Sequence, residues 1–170
     1  MRIRTPVLPA LIACVVLLGA PSAAFADLTG FIGVNRTPSD RSLKGFAIGT
    51  GLLVVGFEFE YGSNGEDLNG TSGEIAPALK TYSFNGLLQT PFPIARMQFY
   101  GTLGGGVYHE TLSLAPAGNE TNFTSNVGGG AKITLLGPIR LRLDYRVFSL
   151  RGTPRHTTVQ RIYAGVNLKF

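Results

Sequence analysis

The chain has 170 residues, with 15 Lys and Arg against 10 Asp and Glu, 23 Gly, no Trp and one cysteine, Cys14. A lone cysteine excludes a disulfide framework and a thiolate metal centre. A formal charge of +5 spread without a basic run gives nucleic-acid binding no footing. No window beyond residue 26 has the length and hydrophobicity of a membrane helix, so any membrane crossing has to be made by strands.

The first 26 residues read as a cleavable secretory signal. Arg2 and Arg4 form a basic start, Leu8 to Gly19 is almost wholly apolar, and Ala24-Phe25-Ala26 supplies the small-x-small cleavage pattern. Residues 27–170 then form one domain, whose charge falls by two as Arg2 and Arg4 leave. Leu11-Ile12-Ala13-Cys14 has the look of a lipobox, but the apolar core runs on through Val15-Val16-Leu17-Leu18. A cut at Cys14 would leave half of that core on the product.

Eight strands follow in chain order, near 28–35, 43–50, 54–62, 78–89, 94–110, 121–135, 139–150 and 157–170. Val55-Gly56-Phe57-Glu58-Phe59-Glu60-Tyr61 alternates apolar with acidic or small residues. The fifth and sixth strands carry Gly104-Gly105-Gly106 and Gly128-Gly129-Gly130. Glycine weakens an ordinary strand, but in a narrow barrel it relieves wall curvature and lumen crowding. Five apolar residues alternate with Arg140, Arg142, Asp144 and Arg146 in the seventh strand, so one face is greasy and the other charged. The eighth places Ile162, Ala164, Val166, Leu168 and Phe170 on one side and Arg161, Tyr163 and Lys169 on the other. Connections alternate between tight turns (51–53, 90–93, 136–138) and longer polar loops (36–42, 63–77, 111–120, 151–156), the rhythm of an outer-membrane barrel.

A soluble secreted barrel with a greasy interior has the same alternation. The number of charges near strand centres favours the inverse, with charge inside and apolar residues toward lipid. The predicted fold is therefore all-β: a closed, eight-stranded, antiparallel, up-and-down transmembrane β-barrel. Phe170, with Leu168, Val166, Ala164 and Ile162 behind it, resembles the C-terminal signature by which outer-membrane proteins are recognised for assembly. In length and loop rhythm the chain resembles the small eight-stranded outer-membrane β-barrel superfamily that includes the membrane domain of OmpA, OmpX and OmpW. The resemblance implies location in the outer membrane, contact with its lipids, and recognition by the assembly machinery through the last strand. In place of Trp, the aromatic belts fall to Tyr61, Tyr100, Tyr145, Tyr163 and several Phe.

Some such barrels modify lipid A with a histidine, a serine and a carboxylate. The histidines of this chain are His109, beside Glu110, and His156, in the last loop after Ser149; neither is followed by a serine, so no catalytic set is expected. No cofactor or metal is expected either; Glu66, Asp67 and Glu74 lack calcium-loop spacing. Asn-x-Thr sequons at Asn35, Asn69, Asn119 and Asn122 read as loop composition.

An eight-stranded interior is just wide enough to be filled by side chains. The third and seventh strands stand opposite each other across the axis, so Glu58 and Glu60 are expected to meet Arg140, Arg142, Asp144, Arg146 and Arg161 in a luminal charge network. Arg96, Lys132 and Lys169 join the inward set and leave a positive surplus, with Tyr100 and Tyr163 sharing the load. The function expected is a structural or surface-interaction barrel with a filled lumen. The alternatives are a narrow transport barrel for small or apolar solutes, or a lipid A-modifying enzyme.

Overall fold

Alternation lets one strand serve two environments at once, most regularly in the third, fourth, seventh and eighth strands. The computed structural model describes residues 25–68, 74–114 and 119–170. The expected signal segment through residue 24, with Cys14, and the sequon residue Asn69 lie outside the described residues. The strands are β1 (Phe25–Asn35), β2 (Arg41–Leu52), β3 (Val55–Asn64), β4 (Ala78–Gln89), β5 (Met97–Thr111), β6 (Glu120–Leu136), β7 (Ile139–Leu150) and β8 (Thr158–Lys169). Each pairs antiparallel with the next, and β1 pairs with β8 to close the barrel. Closure leaves no open edge, which hydrocarbon would not tolerate.

The boundaries differ from the sequence reading in two informative places. β5 starts at Met97 rather than at 94, because Ile94 and Met97 exchange backbone hydrogen bonds of 2.8 and 2.9 Å across a tight turn, with Ala95 and Arg96 at positive φ. Arg96 is thereby removed from the inward set: it is exposed, and its Nη2 donates to the Leu135 carbonyl at 2.8 Å. β1 starts at Phe25, whose backbone is in register with Gly51, two residues before the expected processing point.

Burial settles which face is inside. Arg142, Arg146 and Arg161 are 0 % exposed, whereas Ile32 is 72 % and Leu103 69 % exposed. Leu143 and Tyr145 of β7 and Ile162, Val166 and Leu168 of β8 are likewise on the outside. Apolar exposure continued around the whole wall far exceeds the patches of a water-soluble monomer, while it matches the outward apolar band of a transmembrane barrel. Tyr100 and Tyr163, expected both for the aromatic belts and to share the luminal load, face inward and so serve the lumen and not the belts. The outer aromatics include Phe46, Phe57, Tyr61, Tyr82, Phe84 and Tyr145.

Glycine makes the crowded interior possible. A Cβ on Gly62 would lie 2.7 Å from Arg161 Nη1, and one on Gly130 would lie 2.5 Å from the Tyr100 hydroxyl. The missing side chains are the space those long inward groups occupy.

Candidate functional site

Four layers fill the lumen from the end with tight turns to the end with long loops. The first is an open recess of about 270 Å³ at the tight-turn end, whose lining includes Asp27, Gln98, Lys132, Arg140 and Lys169. Asp27, which the sequence reading did not place in the network, serves two cations at once. Its Oδ2 accepts from Lys132 Nζ at 2.5 Å and from Arg140 Nη2 at 3.2 Å. Arg140 is anchored further by Asn167 Oδ1 at 2.8 Å.

The second layer is the charge network proper, and β3 and β7 supply most of it. Arg142 grips Glu58 through both terminal nitrogens, with Nη2 to Oε1 at 3.1 Å, and also holds Asp144 at 3.0 Å. Arg146 donates to Glu58 at 2.8 Å and to Asp144 at 2.9 Å. Its Nη1 lies 3.2 Å from Glu60 Oε2 without the alignment of a hydrogen bond, so that contact is Coulombic. Arg161 joins Glu60 at 3.1 Å, Asn35 at 3.1 Å and Thr81 at 3.0 Å. Forked guanidinium groups suit this density of carboxylates because each presents several donors in one plane.

Within this layer Arg142, Arg146 and Arg161 face Glu58, Glu60 and Asp144, so formal charge balances. The positive surplus anticipated from sequence belongs to the recess, where Lys132, Arg140 and Lys169 gather around Asp27 and Glu58 contributes to the lining as well. The tyrosines join the network as hydrogen-bonding partners. Tyr100 donates to Asp144 and accepts from Arg142 Nε at 2.8 Å; Tyr163 donates to Glu60 at 2.9 Å. Removing so many ions from water is costly unless each is paired and hydrogen-bonded, and here every ion of this layer has a charged partner.

The third layer is apolar. Leu79, Tyr108, Phe148, Leu150 and Val159 pack together between the charges and the long loops. Phe31 stacks on Tyr163 with ring centroids 4.1 Å apart, and the Arg161 guanidinium lies 4.3 Å from the Phe148 ring centre, so the layers interlock.

The loops themselves form the fourth layer, tied strand to strand by carboxylates. Asp67 accepts from Ser39 at 3.0 Å, and Glu66 takes the Ser113 backbone N–H at 2.9 Å and its hydroxyl at 2.5 Å. Glu120 takes the Thr153 N–H at 2.7 Å. Arg41 donates to the Thr37 carbonyl at 2.8 Å and to the Pro77 carbonyl. Serine bonding holds the Glu66 carboxyl below the usual carboxylate range.

Of the residues weighed for catalysis, His156 and Glu110 come together, but Ser149 and His109 do not join them. Ser149 faces outward, whereas His156 is turned toward Arg41, Glu110 and Val159 at the inner side of the mouth. Successive residues of a strand point to opposite faces, so His109 and Glu110 are separated by the wall; the His109 ring contacts Thr121 Oγ1 at 2.6 Å. Of the sequon residues, Asn35 is fully buried in the lumen against Arg161 and Asn64.

No protein-family model and no curated protein matches this sequence. Solved structures do match. The N-terminal β-barrel domain of Pseudomonas aeruginosa OprF superposes with a TM-score of 0.64 at 16% identity, over 86% of this chain and 97% of that one. The fold is that of the small outer-membrane β-barrels. Neisserial surface protein A aligns at a TM-score of 0.58 and 15% identity, over 86% of this chain and 96% of its own. The outer membrane enzyme PagL aligns at 0.50 and 10% identity, over 84% and 98%. At these identities the likeness carries the architecture, and one barrel architecture serves both enzymes and other proteins.

Proposed function

We propose that this chain is an integral protein of the cell outer membrane that acts through its lipid-facing wall and its outer loops, as a structural or surface-interaction barrel and not as an open pore. The observation that carries this reading is the filled middle of the lumen. Side chains that are essentially fully buried, Arg142, Arg146, Arg161, Glu58 and Glu60, occupy it from opposite walls, with the apolar layer above them. Opening a path would require breaking several buried ion pairs together, each costing roughly 3–5 kcal/mol when one partner is removed.

The reading is tested by conductance. Purified barrel in planar bilayers is expected to show no large steady channel, whereas Glu58→Ala with Glu60→Ala, which removes two of the three acids, should raise the frequency of brief openings. A large, steady conductance from the unaltered protein would instead favour a transport barrel for small solutes.

A further inference from the structure

Contact with lipid hydrocarbon accounts for most of the exterior, but two exposed cations do not belong in it. Lys44 of β2 and Lys80 of β4 point outward near the long-loop end, and neither has an ion-pair or hydrogen-bond partner among the described residues. They lie on one register row. Lys44 is opposite Ser63, Ser63 opposite Lys80, and Lys80 opposite His109. Adjacent strands are about 4.8 Å apart, so the two lysine Cα atoms stand roughly 10 Å apart. One side-chain step toward the middle of the wall, Phe46, Tyr61 and Tyr82 form a contiguous aromatic band, with ring centroids 5.7 and 5.0 Å apart. Such bands mark the boundary between hydrocarbon and headgroups. On the other side of the barrel the outward residues near the same end, Ser149, Thr158 and Gln160, carry no charge.

We propose that this row on β2–β5 is a docking site for phosphate-bearing lipid headgroups of the outer leaflet. The lysine stems can lie along the aromatic band while their ammonium groups reach the depth of the phosphates. With no carboxylate in the row, the lipid phosphate is the counter-ion. His109, whose Nδ1 is engaged by Thr121, has its other ring nitrogen available beside Lys80. The other exposed cations of this end, Arg36, Arg151 and Arg155, lie in the loops beyond the strands; on the wall itself the exposed lysines stand on β2 and β4, which makes the site a local one and not a general ring of annular lipid. The inference rests on the lipid-facing reading of the wall.

Spin-labelled phosphatidic acid and spin-labelled phosphatidylcholine, compared in phosphatidylcholine bilayers containing the folded barrel, measure the preference directly. Phosphatidic acid is expected to be enriched at the protein, by roughly fivefold for each lysine that engages it, and high salt should weaken the enrichment. Lys44→Gln with Lys80→Gln should abolish it, and Lys44→Arg with Lys80→Arg should keep it. Added inorganic phosphate should compete no better than sodium chloride of equal ionic strength; selective displacement by phosphate would reveal a free-anion site and overturn the lipid assignment. Equal association of the two lipids, or enrichment that survives the glutamine pair, would also overturn it. Heat-modifiable gel migration of the same samples reports insertion separately, so failure of the site is distinguishable from failure of the lipid-facing reading.

Discussion

Glu58 shows how closely the luminal residues depend on one another. Two guanidinium groups converge on its carboxylate, so Glu58→Ala leaves Arg142 and Arg146 buried with only Asp144 and, for Arg146, Glu60 to answer them. We expect a loss of roughly 3–5 kcal/mol in unfolding from lipid or detergent. Combining Glu58→Ala with Arg142→Met should recover part of it, because an apolar side chain leaves no unmatched charge; a double-mutant cycle measures the coupling. Leu143, one residue along on the opposite face, stands in the middle of β7 with Ala131 and Ala164 beside it in register. Leu143→Arg places an ion against hydrocarbon and should cost about 2–4 kcal/mol in bilayers. Unfolding titrations in vesicles check it, and an unaltered midpoint would contradict the assigned face.

At the scale of elements, the strands are held by closure and the loops by carboxylates. Glu66, in the loop after β3, ties down Ser113 in the loop after β5 through two hydrogen bonds to a depressed carboxyl. A group whose folded pKa lies below its unfolded value contributes stability above that unfolded value and loses it as pH falls through the folded one. The tie is therefore expected to hold at neutral pH and to be released only as pH falls below the ordinary carboxylate range, through the depressed folded value. Hydrogen exchange at the Ser113 amide, followed from pH 6 downward, should show the loss of protection. Glu66→Gln should exchange fast at every pH, while the strand amides of β3 and β5 stay protected.

For the whole molecule, a closed sheet with an inverted polarity predicts a distinctive physical behaviour. Every strand is paired with both of its neighbours around the ring, so partial unravelling exposes unpaired edges to hydrocarbon. The protein should therefore migrate faster on a gel unheated than boiled, and should fractionate with the outer membrane. Recovery in the soluble periplasmic fraction would contradict the membrane reading. The recess at the tight-turn end, whose lining sets Lys132, Arg140 and Lys169 against Asp27 and Glu58, leaves that end of the lumen with a positive surplus, whereas the middle layer is neutral.

Alternation by twos, with the even strand count and the loop rhythm, was enough to give a closed eight-stranded barrel from the chain alone, and it put Leu143 and Arg142 on opposite faces; the charges near strand centres pointed to a polar interior, and burial shows it. The same count also brought Glu58 and Glu60 opposite Arg142 and Arg146, since in an eight-stranded ring β3 and β7 are separated by half the circumference. What a pattern of period two cannot contain is depth and local turn geometry. Arg96 left the inward set because the Ile94–Met97 bridge bends the chain at the start of β5. Asp27 entered the lumen network because closure of β1 onto β8 sets it at the level of Lys132 and Arg140. Tyr100 and Tyr163 suit both the belt and the lumen as far as the chain alone shows; the lumen holds them, and the acids that accept from their hydroxyls, Asp144 and Glu60, are set by depth across the ring. Which acid meets which arginine was thus decided by register and stagger across the closed ring, a three-dimensional property that no local run of residues specifies.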